Sequence, residues 1–326
     1  MPPAGRELEV QVLGAAQSAS PAVRRSALDR LFTGGCVLGD GAMATMLLDR
    51  GASIDTCCEE LNLRQPEAIA AVHAAYLQAG AEIIEANTFG ANAYRLERCG
   101  LRSKVREINL AAVRIARHCV IRAAGAQIAG AIGPLGMRIQ PHGEVSCIAA
   151  RSAFADQVHA LAEGGPGVGA DLLILETMMS VAEATEAIAA ARDAAPWLRL
   201  VVMMTVDENG DCLDGSSAQR AAARLTDLGA DAIGCNCSYG PTSVLRAIER
   251  MRAATPLPLA AMPNAGMPFS VEGRSNYPIS PVEMAAFARS CLQAGVTLIG
   301  GCCGTTPDHI RAIKSVLQES APQESG

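Results

Sequence analysis

Apolar positions along this chain switch between two periods. Ala-rich stretches carry apolar residues three and four apart, the spacing of one helix face. Each then passes through a glycine into a short unbroken apolar run, the pattern of a strand buried on both faces. The glycines recur as Gly80, Gly125, Gly169, Gly229 and Gly295, where helix C-caps are expected. The runs that follow them are Glu82-Ile83-Ile84-Glu85, Gln127-Ile128-Ala129-Gly130, Asp171-Leu172-Leu173-Ile174-Leu175, Asp231-Ala232-Ile233-Gly234 and Thr297-Leu298-Ile299. Val37-Leu38-Gly39, Leu200-Val201-Val202-Met203-Met204 and Leu257-Pro258-Leu259-Ala260-Ala261 complete a set of about eight strands alternating with helices. An open doubly wound sheet is the alternative. Eight near-even repeats over this length favour a single (β/α)8 TIM barrel with short N- and C-terminal extensions.

Polar and unusual residues collect immediately after these strands: Asp40-Gly41, Asn87-Thr88-Phe89, Gly133-Pro134, Glu176-Thr177, Cys237, Pro263-Asn264-Ala265-Gly266 and Cys302-Cys303. In a barrel the strand C-termini form one rim, where active sites are built, so seven sequence-distant clusters converge on one mouth. No linker divides the repeats. The expected organisation is an N-terminal extension over 1–30, a barrel over 31–317 and a solvated tail over 318–326.

Composition mainly excludes. The chain has 326 residues, 50% hydrophobic, with a net charge of −6, which argues against a nucleic-acid footprint. No apolar run reaches the ~20 residues of a membrane span, and the first 30 residues lack a secretory apolar core. Twelve cysteines in a chain this long read as reduced thiols in a cytoplasmic protein. The only lysines are Lys104 and Lys314, both in helix-like surroundings, so Schiff-base chemistry is not expected.

The chemistry concentrates in Gly300-Gly301-Cys302-Cys303-Gly304, with Cys237 upstream. Adjacent residues of a regular strand point to opposite faces, so two neighbouring thiols share a ligand only where glycines let the backbone leave strand geometry. A disulfide between them is disfavoured, because Cα atoms ~3.8 Å apart fall below the usual ~4.4–6.8 Å. Three thiols from two strand ends, with no histidine motif nearby, favour tetrahedral Zn²⁺ with one open position. Such an all-thiolate site is a weak Lewis acid towards water and suits activation of an incoming thiol. A structural zinc site with an unrecognised fourth ligand, or plain buried thiols, are the alternatives. Cys57-Cys58 lacks glycine flanks and reads as the start of a helix, and Cys235 as a core thiol below the site. Glu176 and Asp40 at strand ends are placed to hold an ammonium group, with helix capping as their alternative role. His142 reads as a solvated loop residue.

These residues resemble the zinc-dependent homocysteine S-methyltransferase family. The similarity runs from about Leu38 to Ile313 and is carried by Asp40-Gly41-Ala42-Met43, Glu85-Ala86-Asn87-Thr88-Phe89-Gly90, Ile132-Gly133-Pro134, Glu176-Thr177, Asn236-Cys237, Pro263-Asn264-Ala265-Gly266 and Gly300-Gly301-Cys302-Cys303-Gly304. The resemblance implies Zn²⁺ on Cys237, Cys302 and Cys303, and L-homocysteine as methyl acceptor. It implies a substrate-binding set of Asp40, Gly41, Glu176 and Asn264, with Glu176 and Asp40 orienting the nucleophile. Gly90 stands where the betaine-using branch carries a tyrosine, which disfavours betaine and makes Asn264 the resting ligand of the metal. Glu59-Glu60-Leu61-Asn62 and Ala261-Met262-Pro263-Asn264 look closest to the branch often fused to methylenetetrahydrofolate reductase. The barrel is also similar to the homocysteine module of cobalamin-dependent methionine synthase. Expected methyl donors are therefore S-methylmethionine, S-adenosylmethionine or a methyl-corrinoid. The alternative is a module that presents homocysteine and zinc and is inactive without a corrinoid or folate partner.

Overall fold

Strands form where the apolar runs predict them. In the structure, a computed structural model that describes residues 26–53, 56–121, 123, 125–271 and 274–320, they are β1 (Val37–Leu38), β2 (Ile83–Glu85), β3 (Gln127–Ile132), β4 (Leu172–Met178), β5 (Arg199–Met204), β6 (Ala232–Cys237), β7 (Leu259–Pro263) and β10 (Val296–Ile299). All pair in parallel, in the order β1-β10-β7-β6-β5-β4-β3-β2. A bridge between Gly39 and Ile83 and the bond from Glu82 N–H to Leu38 O (2.8 Å) join the two ends. The result is a (β/α)8 barrel.

Helices alternate with these strands, and their starts carry the expected chemistry. Ser26, Ser146, Ser180, Ser217 and Ser280 accept backbone N–H bonds as N-caps, and Pro66, Pro241, Pro281 and Pro307 open helices at N1. Gly80, Gly125, Gly229 and Gly295 adopt positive φ, as a chain reversal after a helix requires. Gly169 does not. It lies beyond a short loop, and a Cβ there would stand 2.9 Å from the Ala162 carbonyl, so packing rather than a helix cap demands glycine.

Inside the barrel, Val37, Ile83, Leu172, Ile174, Val201, Met203 and Leu298 form one core. Its floor is the helix Ala27–Thr33, whose Ala27 and Leu31 are buried in that core. This helix begins within the residues assigned to an extension and packs into the barrel core. Ser320 ends the helix Pro307–Glu319, so the described part of the tail is structured. The rest of both extensions, 1–25 and 321–326, lies outside the described residues.

The acids after three of the hinge glycines tie the bottom rim together. Glu82, Asp171 and Asp231 each accept a backbone N–H from the preceding strand, at Leu38 (3.2 Å), Ile128 (2.8 Å) and Leu200 (2.8 Å). Each also pairs with a helix arginine: Arg30, Arg117 and Arg192 respectively. At the opposite rim, a two-stranded antiparallel hairpin, β8 (Phe269–Val271) and β9 (Arg274–Asn276), follows β7. It was not expected, because its short, mixed residues form no apolar run. Among the described residues no helix is long and apolar enough to cross a membrane.

Candidate active site

The chain leaves β10 through two glycines that have no room for a side chain. A Cβ at Gly300 would stand 2.8 Å from Met262 Cε, and one at Gly301 would stand 2.4 Å from Thr305 Oγ1. The segment is then fixed from both sides, with Gly301 N–H donating to Asp40 O (2.8 Å) and Cys302 N–H to Pro263 O (2.8 Å). Freed from strand alternation, Cys302 and Cys303 bring their Sγ atoms to 4.0 Å.

Cys237 arrives by a different device. At the end of β6, Cys237 and Ser238 both take left-handed backbone, φ 56° and 64°, a strained turn for residues with side chains. Surrounding bonds hold it: Val206 N–H donates to Ser238 Oγ (3.0 Å), Asn264 N–H to Cys237 O (3.1 Å) and Asn264 Nδ2 to Ser238 O (2.8 Å). The sulfurs of Cys237, Cys302 and Cys303 all lie within 4.8 Å of one another, the group among the described residues that could hold a metal ion.

Their electrostatics follow from that proximity. S–H donors from Cys302 and Cys303 hold the Cys237 thiol well below the usual range. Cys302 is pushed up because its proton is bound to Cys237, and Cys303 rises to about 12 for the same first reason. The cluster thus carries one negative charge easily and resists the next two until a cation neutralises them. Cys235, fully buried beneath, is pushed up to about 12 by burial and is an inert core thiol.

Beside the sulfurs lie carboxylates. Glu176 is 7% exposed on β4 and accepts from Asn236 Nδ2 (3.0 Å), which also reaches Thr177 Oγ1 (2.9 Å). Asn236 thereby links the Glu176 carboxylate to the strand that ends in Cys237. Glu85, at the end of β2, is hydrogen-bonded to Glu176 and lifted to about 7 by burial. Glu176 is itself raised by burial and then by the Glu85 charge. Asp40 is 2% exposed, raised by burial, and accepts the Glu85 N–H on Oδ2 (2.9 Å), extending the β1–β2 seam. Gly41 packs against Thr305 and Tyr76, where a Cβ would approach to 2.7 and 2.9 Å. Asn264 is buried with Oδ1 free of any donor among the described residues. His142 is exposed in the loop after β3.

Sulfurs and carboxylates open into one cavity of about 650 Å³, lined by Glu85, Glu176, Asn236 and the three cysteines together with Cys57, Glu59, Phe89 and Arg95. Cys57 does begin a short helical segment, Cys58–Glu60, yet it also lines this wall. Glu85 and Asn236 are the site residues that sequence reasoning gave no role. The available signal was their position at strand ends beside Asn87 and Cys237.

The sequence model of the homocysteine S-methyltransferase family matches residues 37–317. The chain belongs to that family. Methionine synthase of Mycobacterium leprae is 31% identical over 296 residues, covering 86% of this chain and 24% of that protein. Methionine synthase of Mycobacterium tuberculosis is 30% identical over the same shares. The chain therefore spans about a quarter of the length of these relatives. Among solved structures, the homocysteine methyltransferase MmuM from Escherichia coli, metallated form, superposes with a TM-score of 0.74 at 26% identity, covering 89% of this chain and 99% of that one. A methyltransferase from Methanosarcina mazei, 14% identical with a TM-score of 0.56, shares the fold.

Proposed function

We propose that this protein transfers a methyl group to the thiol of L-homocysteine, giving methionine, at a zinc ion held by Cys237, Cys302 and Cys303. The observation that carries the reading is the three-thiol cluster in the wall of a carboxylate-lined cavity in a chain of this family. Zinc fits the donor set. Bonds of ~2.3 Å in tetrahedral geometry put thiolates roughly 3.8 Å apart, close to the 4.0 Å between Cys302 and Cys303. Three soft anionic ligands with no imidazole favour it over harder ions. When bound, zinc supplies the positive charge that keeps an incoming thiol ionised near neutral pH.

The protein's own residues do the rest. The two glycine-freed sulfurs and the strained Cys237 turn leave one side of the cluster facing the cavity. Glu176, fixed by Asn236, orients the substrate through its ammonium group. Asn264, with its buried unpartnered oxygen beside the Cys237 turn, would be the residue to help hold the ion before substrate arrives. In the transfer the substrate sulfur forms the bond to methyl carbon with its own electron pair, and the donor leaves with the pair of the broken bond. Alignment of the two in the cavity supplies much of the rate. The cysteines, none in a disulfide among the described residues, suit a cytoplasmic setting.

The test is a donor panel of S-methylmethionine, S-adenosylmethionine and methylcobalamin assayed with homocysteine and read as methionine. Turnover with one of them alone is expected for an autonomous enzyme. A second reading is favoured by the quarter-length match to methionine synthases. On it the chain presents homocysteine to a separate corrinoid or folate protein, and methionine forms only when that partner is added. Absence of methionine in every arm, partner included, contradicts both.

A further inference from the structure

The cavity that holds the three cysteines carries positive as well as negative charge. Arg95 and Arg98 line it together with Glu59, Glu85 and Glu176. The two arginines stand three residues apart where the short helix Ala93–Glu97 ends, with Arg98 N–H donating to Arg95 O (3.2 Å), so they share one side of a helical turn. Arg95 is fixed in place. Its Nε donates to Pro134 O (2.8 Å), and its guanidinium lies 5.0 Å from the centre of the Phe89 ring. Two glycines make room for its stem: a Cβ at Gly90 would stand 3.1 Å from Arg95 Cδ, and one at Gly136 would stand 3.2 Å from Arg95 Cγ. The bare Gly90 position thus admits this arginine to the wall. The acid beside it is engaged elsewhere, since Glu59 accepts the Gly90 N–H on Oε1 (2.7 Å) and the Cys57 S–H on Oε2 (3.5 Å). Among the described residues neither arginine enters an ion pair.

Exposure orders these charges. Arg98 is exposed and Arg95 half-buried, whereas Glu176 and Asn236 on the same wall are buried, so the cationic part of the wall is the part that meets solvent. An acceptor thiol must reach the sulfurs, and the donor then approaches from the solvent side. A transferable methyl group on a sulfonium or ammonium centre is cationic and is drawn to thiolates and carboxylates. A negative group on the same molecule needs its counterion further out. We propose that Arg95 and Arg98 form a carboxylate site for the methyl donor, holding its anionic end while its cationic methyl-bearing centre faces the three-cysteine cluster. The planar guanidinium groups, one of them already oriented, suit a carboxylate. In the transfer the acceptor sulfur gains the methyl group, the electron pair of the broken bond stays on the donor's heteroatom, which becomes neutral, and the carboxylate keeps its charge on the arginines. This inference rests on methyl transfer to homocysteine.

The test varies S-methylmethionine, S-adenosylmethionine and trimethylsulfonium, the last a methyl donor without a carboxylate, at saturating homocysteine, and reads methionine formed by the zinc-loaded protein. The wild type is expected to prefer a carboxylate donor. Arg95→Gln combined with Arg98→Gln should raise KM for that donor by about tenfold or more, the scale of one charge-assisted hydrogen bond, and cut its advantage over trimethylsulfonium by a similar factor. KM for homocysteine should stay within about twofold and zinc content should not change. The paired Lys substitutions, which keep the charge, should recover part of the loss. An unchanged donor KM in the Gln pair, a loss shared equally by trimethylsulfonium, or a rise confined to the KM of homocysteine overturns the assignment. If the Gln pair does not fold, Arg98→Gln alone carries the test: a several-fold rise in donor KM supports the site, and no rise overturns it. A wild type that uses neither carboxylate donor but forms methionine with methylcobalamin or a corrinoid partner also overturns it, and leaves methyl transfer to homocysteine standing. Absence of methionine with every donor and partner removes that reading, and this inference with it.

Discussion

Three thiols within 4.8 Å of one another cannot all ionise on their own. One thiolate is stabilised by two S–H donors, and further ionisation works against its charge. Removing any one sulfur therefore costs both a ligand and the charge balance that makes a divalent cation welcome. Cys237→Ala, Cys302→Ala and Cys303→Ala are each expected to drop the purified protein from about one zinc to none, read by atomic emission, and to abolish turnover. The neighbouring carboxylates give a second, pH-dependent signature. The folded-state value of Glu85, about 7, lies above its ordinary 4.5, so the folded protein binds more protons than the unfolded chain between those values. Stability from this group is full below pH 4.5 and is lost as pH rises through about 7. In urea titrations of substrate-free protein, Glu85→Gln should gain stability relative to wild type as pH rises across that window; a pH-independent difference would exclude the buried charge. The cysteines were legible in the sequence because glycine flanks, adjacency and soft-ligand chemistry leave few alternatives. Glu85 was not, because a lone acid closing an apolar run looks like ordinary strand punctuation until Glu176 is brought against it.

At the scale of elements, strand and helix order could be read because buried parallel strands leave unbroken apolar runs and the helix starts carry Ser or Pro. Strand ends were less legible. β3, β4, β6 and β7 run on into residues such as Ile132, Met178, Cys237 and Pro263, where chemistry rather than hydropathy dominates the sequence. The recurrent acid after the hinge glycine was visible as a repeat, but its role as a clamp emerges only in three dimensions. Asp171 takes Arg117 at 2.8 Å and the Ile128 N–H at 2.8 Å. Asp171→Ala leaves the Ile128 N–H without its acceptor and Arg117 with only the Gly169 carbonyl, and is expected to cost about 1–3 kcal/mol, measured by denaturant unfolding. Tight packing at the other rim predicts a sharper effect. Gly304 has φ +78°, and a Cβ there would stand 2.0 Å from the Tyr277 ring. Gly304→Ala should displace the cysteine pair and lower zinc retention along with the melting temperature, whereas a variant with wild-type zinc affinity would show that the turn tolerates movement.

Over the whole molecule, the barrel brings together three thiols from β6 and the segment after β10, carboxylates from β2 and β4, and one cavity joining them. This convergence explains why clusters scattered from Asp40 to Cys303 make chemical sense only together. Other residues of the cavity wall, such as Glu59, Arg95 and Arg98, carry no comparable signature in the sequence, so the methyl donor could not be read from it. The central claim concerns the acceptor: the substrate thiol joins three protein sulfurs at one metal. X-ray absorption at the zinc edge of the purified protein, before and after homocysteine is added, tests this directly. The sulfur count around zinc is expected to rise from three to four, with no such rise for homoserine, the hydroxyl analogue. A count that stays at three, or stands at four before homocysteine arrives and does not respond to it, would contradict the account.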